Sequence, residues 1–130
     1  KLHLLGFTGA KLDDLMTWIP SRIVLITLPF CCRTKQSMLK TIRLAWIDGI
    51  VDSSPNSGIS EAIFAHCAQV RMGGINQYRG KIKIKPIIAK SYPIANINSV
   101  KKILNLSLRL QIAWLFGFSL IMKLMNLLIQ

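Results

Sequence analysis

The residues best suited to chemistry lie between Asp52 and Tyr78. The run Ser53-Ser54-Pro55-Asn56-Ser57-Gly58 offers hydroxyls, an amide and backbone N–H groups directly ahead of a predicted helix. Exposed N–H groups at a helix N-terminus bind anions, phosphate in particular. Glu61 is the only carboxylate near this run on its C-terminal side. The run therefore predicts an anion-binding turn, although a well-capped turn without a ligand has the same composition.

A second group of polar residues follows a glycine pair. Gly73 and Gly74 allow the backbone to approach a ligand closely, because neither carries a side chain. Asn76, Tyr78 and Arg79 then supply polar and cationic groups. No G-x-x-x-x-G-K-[ST] pattern is present, so the chain has no Walker A phosphate loop.

The elements around these residues follow from periodicity. Residues 59–72 predict a helix that ends at the Gly73-Gly74 pair. Glu61 would lie in its first turn, where a negative charge interacts favourably with the helix dipole. Residues 78–88 alternate lysine with isoleucine, which is typical of a strand. Pro86 and Pro93 favour a loop or an edge segment instead.

Two apolar stretches, residues 15–32 and 103–129, are candidate membrane helices. The first contains Arg22, and its Pro20 suits the first turn of a helix, while Pro29 would kink or end it. A short core helix remains an alternative for this stretch. The second contains only Arg109 and Lys123 as charges and is the stronger candidate. Residues 33–47 predict an amphipathic helix that lies at a membrane surface or half-buried against a partner helix.

The composition favours a membrane protein over a soluble basic domain. Hydrophobic residues make up 52% of the chain and its net charge is +12, with a mean hydropathy of +0.43. Residues 33–102 hold twelve Lys and Arg against three acids, so this loop is predicted to face the cytoplasm. The predicted fold class is mainly α: a multi-pass helical membrane protein fragment with a basic cytoplasmic loop that contains short helices.

The three cysteines do not form a metal or disulfide pattern. Cys31, Cys32 and Cys67 include no C-x-x-C pair, and His3 and His66 complete no metal-ligand spacing. We interpret them as buried reduced thiols. The chain begins at Lys1 without the pattern of a signal peptide, and we expect it to be part of a longer protein.

Three motifs in order resemble the cobalamin biosynthesis CobD/CbiB family. Ser54-Pro55-Asn56-Ser57-Gly58-Ile59-Ser60-Glu61-Ala62 resembles the family's S-P-N-A-G-W-P-E-A run, and the segment from Val70 to Tyr78 resembles V-x-L-G-G-P-N-x-Y. Upstream, the segments Lys11-Leu12-Asp13-Asp14-Leu15 and Trp18-Ile19-Pro20-Ser21-Arg22 resemble R-L-D-D-L-x-N-x-I-P-A-R. The likeness runs from about residue 10 to the last apolar stretch, which would make the chain a C-terminal portion of such a protein.

The resemblance implies a membrane-bound adenosylcobinamide-phosphate synthase of the bacterial plasma membrane. Such an enzyme joins aminopropanol or aminopropanol phosphate to a carboxylate of the corrinoid adenosylcobyric acid, giving adenosylcobinamide or its phosphate. Because amide condensation in water is unfavourable, ATP with magnesium is implied, through an acyl-phosphate. The partners implied are the corrinoid, the amine, the lipid membrane and other enzymes of the cobalamin pathway, without nucleic acid.

The resemblance also implies residue roles, which we state as hypotheses. Asp13 and Asp14 would hold magnesium and take part in catalysis, since hard oxygen ligands suit that ion. Glu61 would be the general base for the attacking amine or a second metal ligand. The remaining candidates would bind or orient substrate: Arg22, Ser54, Asn56, Ser57, Gly58, Arg71, Gly73, Gly74, Asn76 and Tyr78.

Two other functions compete with the synthase. One is a non-catalytic sensor or regulator of the same membrane family, against which the intact S-P-N-S-G-x-x-E and G-G-x-N-x-Y patterns argue. The other is a basic nucleic-acid-binding module, which would need aromatic residues interleaved with lysines. Here Trp114, Phe116 and Phe118 lie in the most apolar stretch, away from the lysines of residues 81–85.

Overall fold

The computed structural model describes residues 2–32 and 36–129, and it is mainly helical, as predicted. The elements in chain order are α1 (Leu2–Cys31), α2 (Met38–Gly49), α3 (Pro55–Ala68), β1 (Met72–Tyr78), β2 (Lys81–Ile88) and α4 (Ile97–Ile129).

Helices α1 and α4 have the length and composition of membrane-spanning helices. The apolar span is Lys11–Cys31 in α1, with a mean hydropathy of 1.2, and Ile97–Ile129 in α4, with a mean hydropathy of 1.9. None of the most apolar window of α4 is buried within the described residues. The two helices touch where Trp114 Nε1 donates a hydrogen bond to Thr27 Oγ1 at 3.1 Å. These two apolar helices indicate that the protein associates with a membrane.

Both helices begin earlier than the apolar runs that predicted them. Helix α1 starts at Leu2, so Pro20 lies in the helix interior and not in a first turn as predicted. Helix α4 starts at Ile97, where Asn96 Oδ1 accepts a hydrogen bond from the backbone N–H of Ser99 at 2.9 Å. Hydropathy marks the part of a helix that suits a membrane, whereas caps and polar turns set where the helix begins.

Helix α3 is the centre of the core and packs against both α1 and α2. Its buried apolar residues are Ile59, Ala62, Ile63, Ala65, Cys67 and Ala68. The backbones of α2 and α3 touch at Gly49 and Gly58. A Cβ on Gly58 would lie 2.6 Å from Asp52 Cβ, and a Cβ on Gly49 would lie 2.7 Å from Ile59 N. Only glycine therefore fits at this crossing. Burial raises the pKa of the Cys67 thiol, which keeps it protonated.

The predicted boundaries of the motif helix, residues 59–72, are wrong at both ends. Helix α3 begins at Pro55, whose fixed φ and missing N–H suit the first turn. It ends at Ala68 because Gln69 adopts a left-handed φ of 57° and donates its N–H to the carbonyls of Ala65 and His66. The glycine pair at residues 73–74 therefore does not end this helix, and Glu61 lies in its second turn.

Residues 72–88 form a β-hairpin, where a loop or edge segment was favoured. Strands β1 and β2 pair antiparallel from Tyr78↔Lys81 to Met72↔Ile88. Arg79 and Gly80, with φ of 47° and 78°, form the two-residue turn, and two positive φ values are typical of a type I′ hairpin turn. Pro86 is tolerated because, within the described residues, β2 pairs only with β1 and so lies at an edge.

The amphipathic helix predicted in residues 33–47 corresponds to α2, although residues 33–35 lie outside the described part of the chain. Ser37 caps it, and its Oγ accepts a hydrogen bond from Lys40 N at 3.4 Å. Thr41, Ala45 and Gly49 form its buried face, whereas Leu39 is 81% exposed. The small buried residues let α2 lie close to α3.

Candidate functional site

Asn56, in the first turn of α3, ties that helix to α1. Its side-chain amide donates hydrogen bonds to the carbonyl oxygen of Asp14 at 2.7 Å and to Thr17 Oγ1 at 3.3 Å. Its Oδ1 accepts a hydrogen bond from Arg22 Nη1. Because Asn56 is 7% exposed and both ends of its amide are engaged, its side chain positions α3 against α1.

Arg22 of α1 lies beside the first turn of α3, with its guanidinium over two tryptophan rings. Its guanidinium carbon is 4.9 Å from the centroid of Trp18 and 5.5 Å from that of Trp46. Nη1 also donates to Ser21 Oγ at 2.8 Å. Stacking on two aromatic faces and bonding to Asn56 hold this cation at the end of α3 that attracts negative charge.

Two cavities flank Asn56, and they separate Asp13 from Asp14. The first has a volume of about 250 Å³ and contains Asp13 with the hydroxyls of Thr17, Ser21, Ser54, Ser57 and Ser60. The second, of about 400 Å³, contains Asp14 with Lys11, Leu15, Trp18, Arg22 and Pro55. We call the first the hydroxyl cavity and the second the arginine cavity. Asp13 and Asp14 are thus neighbours in sequence but line different cavities.

Asp52 organises the turn that precedes α3. Its Oδ1 accepts hydrogen bonds from Ser54 N at 3.0 Å and from Ser53 Oγ at 3.2 Å. The backbone N–H of Ser54 holds the pKa of this carboxyl below its usual value, against the opposing effect of burial, and Lys85 lowers it further. Asp52 therefore carries the negative charge next to the N-terminus of α3, while the Ser54 side chain makes no capping bond.

Glu61 and Lys85 join α3 to the hairpin. Lys85 Nζ donates to Glu61 Oε1 at 2.7 Å and Oε2 at 3.0 Å and lies 3.7 Å from Asp52 Oδ2. Glu61 Oε1 also accepts a hydrogen bond from Ser57 Oγ at 3.2 Å. Ser57 lines the hydroxyl cavity, so Glu61 lies one hydrogen bond from that cavity.

The other predicted site residues lie farther along α3 and the hairpin. Gly58 forms the α2–α3 crossing. Arg71 N donates to the carbonyl of Pro93 at 2.7 Å. Gly73 and Gly74 form an irregularity in β1 with φ of 89° and 86°, and Asn76 Nδ2 donates to Gly74 O at 3.2 Å. The structure therefore brings Asp13, Ser54, Asn56, Ser57 and Glu61 together. It places the other five residues outside that group.

Tyr78 pairs with Lys81 through its backbone at the end of β1. Its side chain lies outside the described part of the structure. Its predicted role in orienting substrate therefore stays a prediction.

The residues around Asn56 suit a magnesium ion that is bound partly by the protein and partly by the phosphates of a substrate. Among residues 2–32 and 36–129, no three His, Cys, Asp or Glu side chains meet to hold a metal. Magnesium, however, is often bound through one or two carboxylates plus water and substrate phosphates. Asp13 with the surrounding hydroxyls fits that pattern, and Asp14 would act from the arginine cavity.

Three site residues were not singled out from the sequence: Thr17, Asp52 and Lys85. Thr17 meets Asn56 across 39 positions, and Lys85 meets Glu61 across 24. The alternation of lysine and isoleucine in residues 81–85 was the available pattern. Once that segment is a strand, its odd-numbered lysines share one face, and one of them faces α3.

A family model and individual relatives all place the chain with the same group of proteins. The model of a family described as CobD/Cbib protein matches residues 1–107. The protein named "Cobalamin biosynthesis protein CobD" of Synechocystis is 38% identical over 84 residues, covering 65% of this chain and 24% of that protein. The Yersinia enterocolitica protein of the same name is 29% identical over 121 residues, covering 92% of this chain and 38% of that protein.

The "Cobalamin biosynthesis protein CbiB" of Salmonella arizonae is 28% identical over 109 residues, covering 82% of this chain. The chain spans 24%, 38% and 34% of the lengths of these three relatives. No solved structure matches the chain.

Proposed function

The chain belongs to the CobD/CbiB family, and on that premise we propose that it is the C-terminal part of a membrane-bound amide-forming enzyme of cobalamin biosynthesis. The proposed reaction joins aminopropanol, or its phosphate, to a carboxylate of adenosylcobyric acid and gives adenosylcobinamide or its phosphate. The observation that carries the proposal is the position of Glu61. It lies one hydrogen bond from a hydroxyl-lined cavity, at the junction of α1, α3 and the hairpin.

The hydroxyl cavity has the donors that a phosphate group needs. Four serine hydroxyls and that of Thr17 line it, and the N-terminus of α3 contributes the positive end of its dipole. A volume of about 250 Å³ is below the usual range for a complete drug-sized ligand, so it suits a phosphate group better than a whole nucleotide. Magnesium would be held by Asp13 at this cavity, and ATP bound with it would supply the phosphoryl group that activates the corrin carboxyl.

Glu61 would act as the general base. The attacking amine must lose a proton as its nitrogen displaces phosphate from the activated corrin carboxyl carbon, and the Glu61 carboxylate takes that proton. Lys85 Nζ lies 2.7 Å from Glu61 Oε1, and this contact holds the carboxylate in place. Asp52 shares the same ammonium at 3.7 Å, so Lys85 keeps a partner when Glu61 becomes protonated.

Arg22 would contribute charge from the other side of Asn56. The arginine cavity, of about 400 Å³, combines a guanidinium with the Trp18 ring and the Pro55 ring. A flat surface of this kind suits a planar or partly apolar ligand that carries a negative charge. We propose that part of the corrinoid lies here, with its reacting carboxyl directed past Asn56 to the hydroxyl cavity.

The membrane arrangement of the proposed enzyme follows from α1 and α4. Both would span the bacterial plasma membrane, and the loop between them would face the cytoplasm because its lysines and arginines are in large excess. The site would then open toward the compartment that contains ATP. Other enzymes of the cobalamin pathway would exchange substrate with it there.

A turnover assay tests the function directly. Full-length protein in detergent micelles is incubated with adenosylcobyric acid, ATP, magnesium and either aminopropanol or aminopropanol phosphate, and the corrinoid products are separated by chromatography. The proposal expects a cobinamide product that requires the amine and ATP. If properly folded protein converts neither amine in the presence of ATP, the proposed function is wrong and the non-catalytic alternative is favoured.

A further inference from the structure

A groove lies between α1 and α4, within the parts of both helices that are long and apolar enough to span a membrane. Its volume is about 550 Å³, within the range of small-molecule sites. Pro20, Ile23 and Thr27 form its α1 wall, and one face of residues 113–121 forms its α4 wall. We call it the α1–α4 groove.

The wall of the α1–α4 groove has no polar side chain that lacks a partner. Its two polar side chains bond to each other, because Trp114 Nε1 donates to Thr27 Oγ1 at 3.1 Å. The Thr27 hydroxyl in turn donates to the carbonyl of Ile23 at 2.6 Å. All other wall residues are apolar. A polar ligand would gain no hydrogen bond from these side chains, so the groove suits a hydrocarbon chain.

Gly117 keeps the α1–α4 groove open along α4. A Cβ at this position would meet no atom within 4 Å, so open space lies directly above the helix backbone. Phe118 and Ile121, on the same wall, are 68% and 56% exposed. In the hydrocarbon core of a bilayer the material that surrounds such a surface is lipid, and an acyl chain therefore matches the groove in chemistry.

Arg109 provides a charge at one end of the α1–α4 groove. It lies one helical turn before Ala113 on the same face of α4, and it interacts electrostatically with Cys31, one turn beyond Thr27 on α1. It is the last charged residue before residues 110–122, which carry no charge. Its exposed guanidinium forms no hydrogen bond or ion pair with the residues that the structure describes. Basic side chains at the end of a membrane helix extend to the lipid headgroups.

From these observations we propose that the α1–α4 groove binds one anionic phospholipid, with its phosphate paired to Arg109 and one acyl chain lying past Gly117. The lengths agree. Residues 113–121 extend over about 12 Å of helix, and one leaflet contributes about 15 Å of the hydrocarbon core. No Asp or Glu follows Glu61 in the chain, so α4 offers no partner for the cationic group of a zwitterionic lipid.

The membrane arrangement proposed above places Arg109 beside the leaflet where anionic lipids concentrate. Arg109 and Cys31 lie next to the basic loop that would face the cytoplasm, and basic pockets between membrane helices on that side bind anionic headgroups. The inference rests on this membrane arrangement and does not depend on the amide-forming reaction.

Native mass spectrometry of full-length protein in neutral detergent micelles tests the proposal. The probes are phosphatidylglycerol and phosphatidylcholine with identical acyl chains. One basic residue at an anionic lipid surface is worth about fivefold in affinity, so one phosphatidylglycerol should bind about fivefold more tightly than phosphatidylcholine. Arg109→Gln should remove this preference. Lys123→Gln removes the same charge from the same helix outside the groove wall and should keep it.

A second pair of variants tests the position of the acyl chain. Gly117→Leu fills the α1–α4 groove from a position with open space and should abolish saturable binding of both lipids. Gly9→Leu adds the same side chain on α1, where a Cβ also meets nothing within 4 Å, and should bind both lipids normally. Arg109→Gln keeps the test decisive if Gly117→Leu does not fold.

Three results would overturn the proposal. The first is the absence of saturable lipid binding to the wild-type protein, which is expected if another segment of the full-length chain covers the groove. The second is an unchanged preference for phosphatidylglycerol in folded Arg109→Gln protein. The third is competition by glycerol 3-phosphate, which has no acyl chain. Lipid binding with the predicted dependence on Arg109 and Gly117, in a protein without turnover, would refute the proposed function alone. Turnover without saturable lipid binding would refute this inference alone.

Discussion

Replacing Gly58 by alanine probes the crossing that holds α2 against α3. The new Cβ would lie 2.6 Å from Asp52 Cβ and 3.2 Å from the carbonyl carbon of Gly49, whereas ordinary contacts are about 3.5–4.0 Å. Overpacking of this kind typically costs about 1–3 kcal/mol, and here a backbone must move, which places the cost near the upper limit. Alanine recovers about 1 kcal/mol of helix propensity, so the net loss should be about 2 kcal/mol.

The matched control is Gly117→Ala in α4, where a Cβ would meet nothing within 4 Å. That change should leave the free energy of unfolding unaltered or raise it by up to about 1 kcal/mol. The assay is reversible unfolding of full-length protein in mixed micelles, followed by tryptophan fluorescence, since Trp18 and Trp46 both contact Arg22. If the two variants differ by less than about 0.5 kcal/mol, the close approach at Gly58 does not contribute to stability as argued.

The remaining predictions concern the hairpin and the turn before α3. Gly73→Ala should destabilise the protein by at least about 1 kcal/mol more than Gly74→Ala. Both positions have positive φ, but only at Gly73 would a Cβ meet the Pro86 carbonyl group, and thermal unfolding of the two variants measures the difference. Asp52 has a lowered pKa, so its ionised side chain stabilises the folded protein above the unfolded pKa. This stabilisation is lost as pH falls through the folded pKa. Below about pH 4 the wild type should therefore lose stability faster than Asp52→Asn, and parallel pH profiles would refute that cause.

The helical fold could be predicted from the sequence because hydropathy and helical periodicity are local properties. The two long apolar runs indicated α1 and α4, and the turn residues before Pro55 marked the start of the central motif. The end of α3 was mispredicted because Gln69, not a glycine, takes the left-handed position. The glycine pair was predicted to end the helix, but its first member, Gly73, instead allows β1 to approach the Pro86 carbonyl.

The hairpin was underestimated because Pro86 removes a backbone donor, which argues against a strand unless the strand lies at an edge. In a two-stranded sheet both strands are edges, and the sequence does not reveal the number of strands. The same limit hid the contact between Lys85 and Glu61, which depends on how the hairpin folds back onto α3.

The sequence motifs identified the residues of the candidate site, but they did not show which contacts each residue makes. Asn56 was predicted to bind substrate, and the structure shows its amide engaged with α1. Asp13 and Asp14 were predicted as a pair, and Asn56 separates them into two cavities. Neighbouring residues on a helix point in directions about 100° apart, so adjacency in sequence does not imply a shared site.

The proposed role of Glu61 is tested most directly by turnover of Glu61→Gln in the full-length protein. Glutamine keeps an oxygen that can accept hydrogen bonds from Ser57 and Lys85 but cannot take a proton. We therefore expect kcat to fall by about 100-fold or more in protein that remains folded. Asn98→Lys, which changes the net charge equally at an exposed position, should retain wild-type turnover. Wild-type turnover by a folded Glu61→Gln protein would contradict the claim that this carboxylate performs the chemistry.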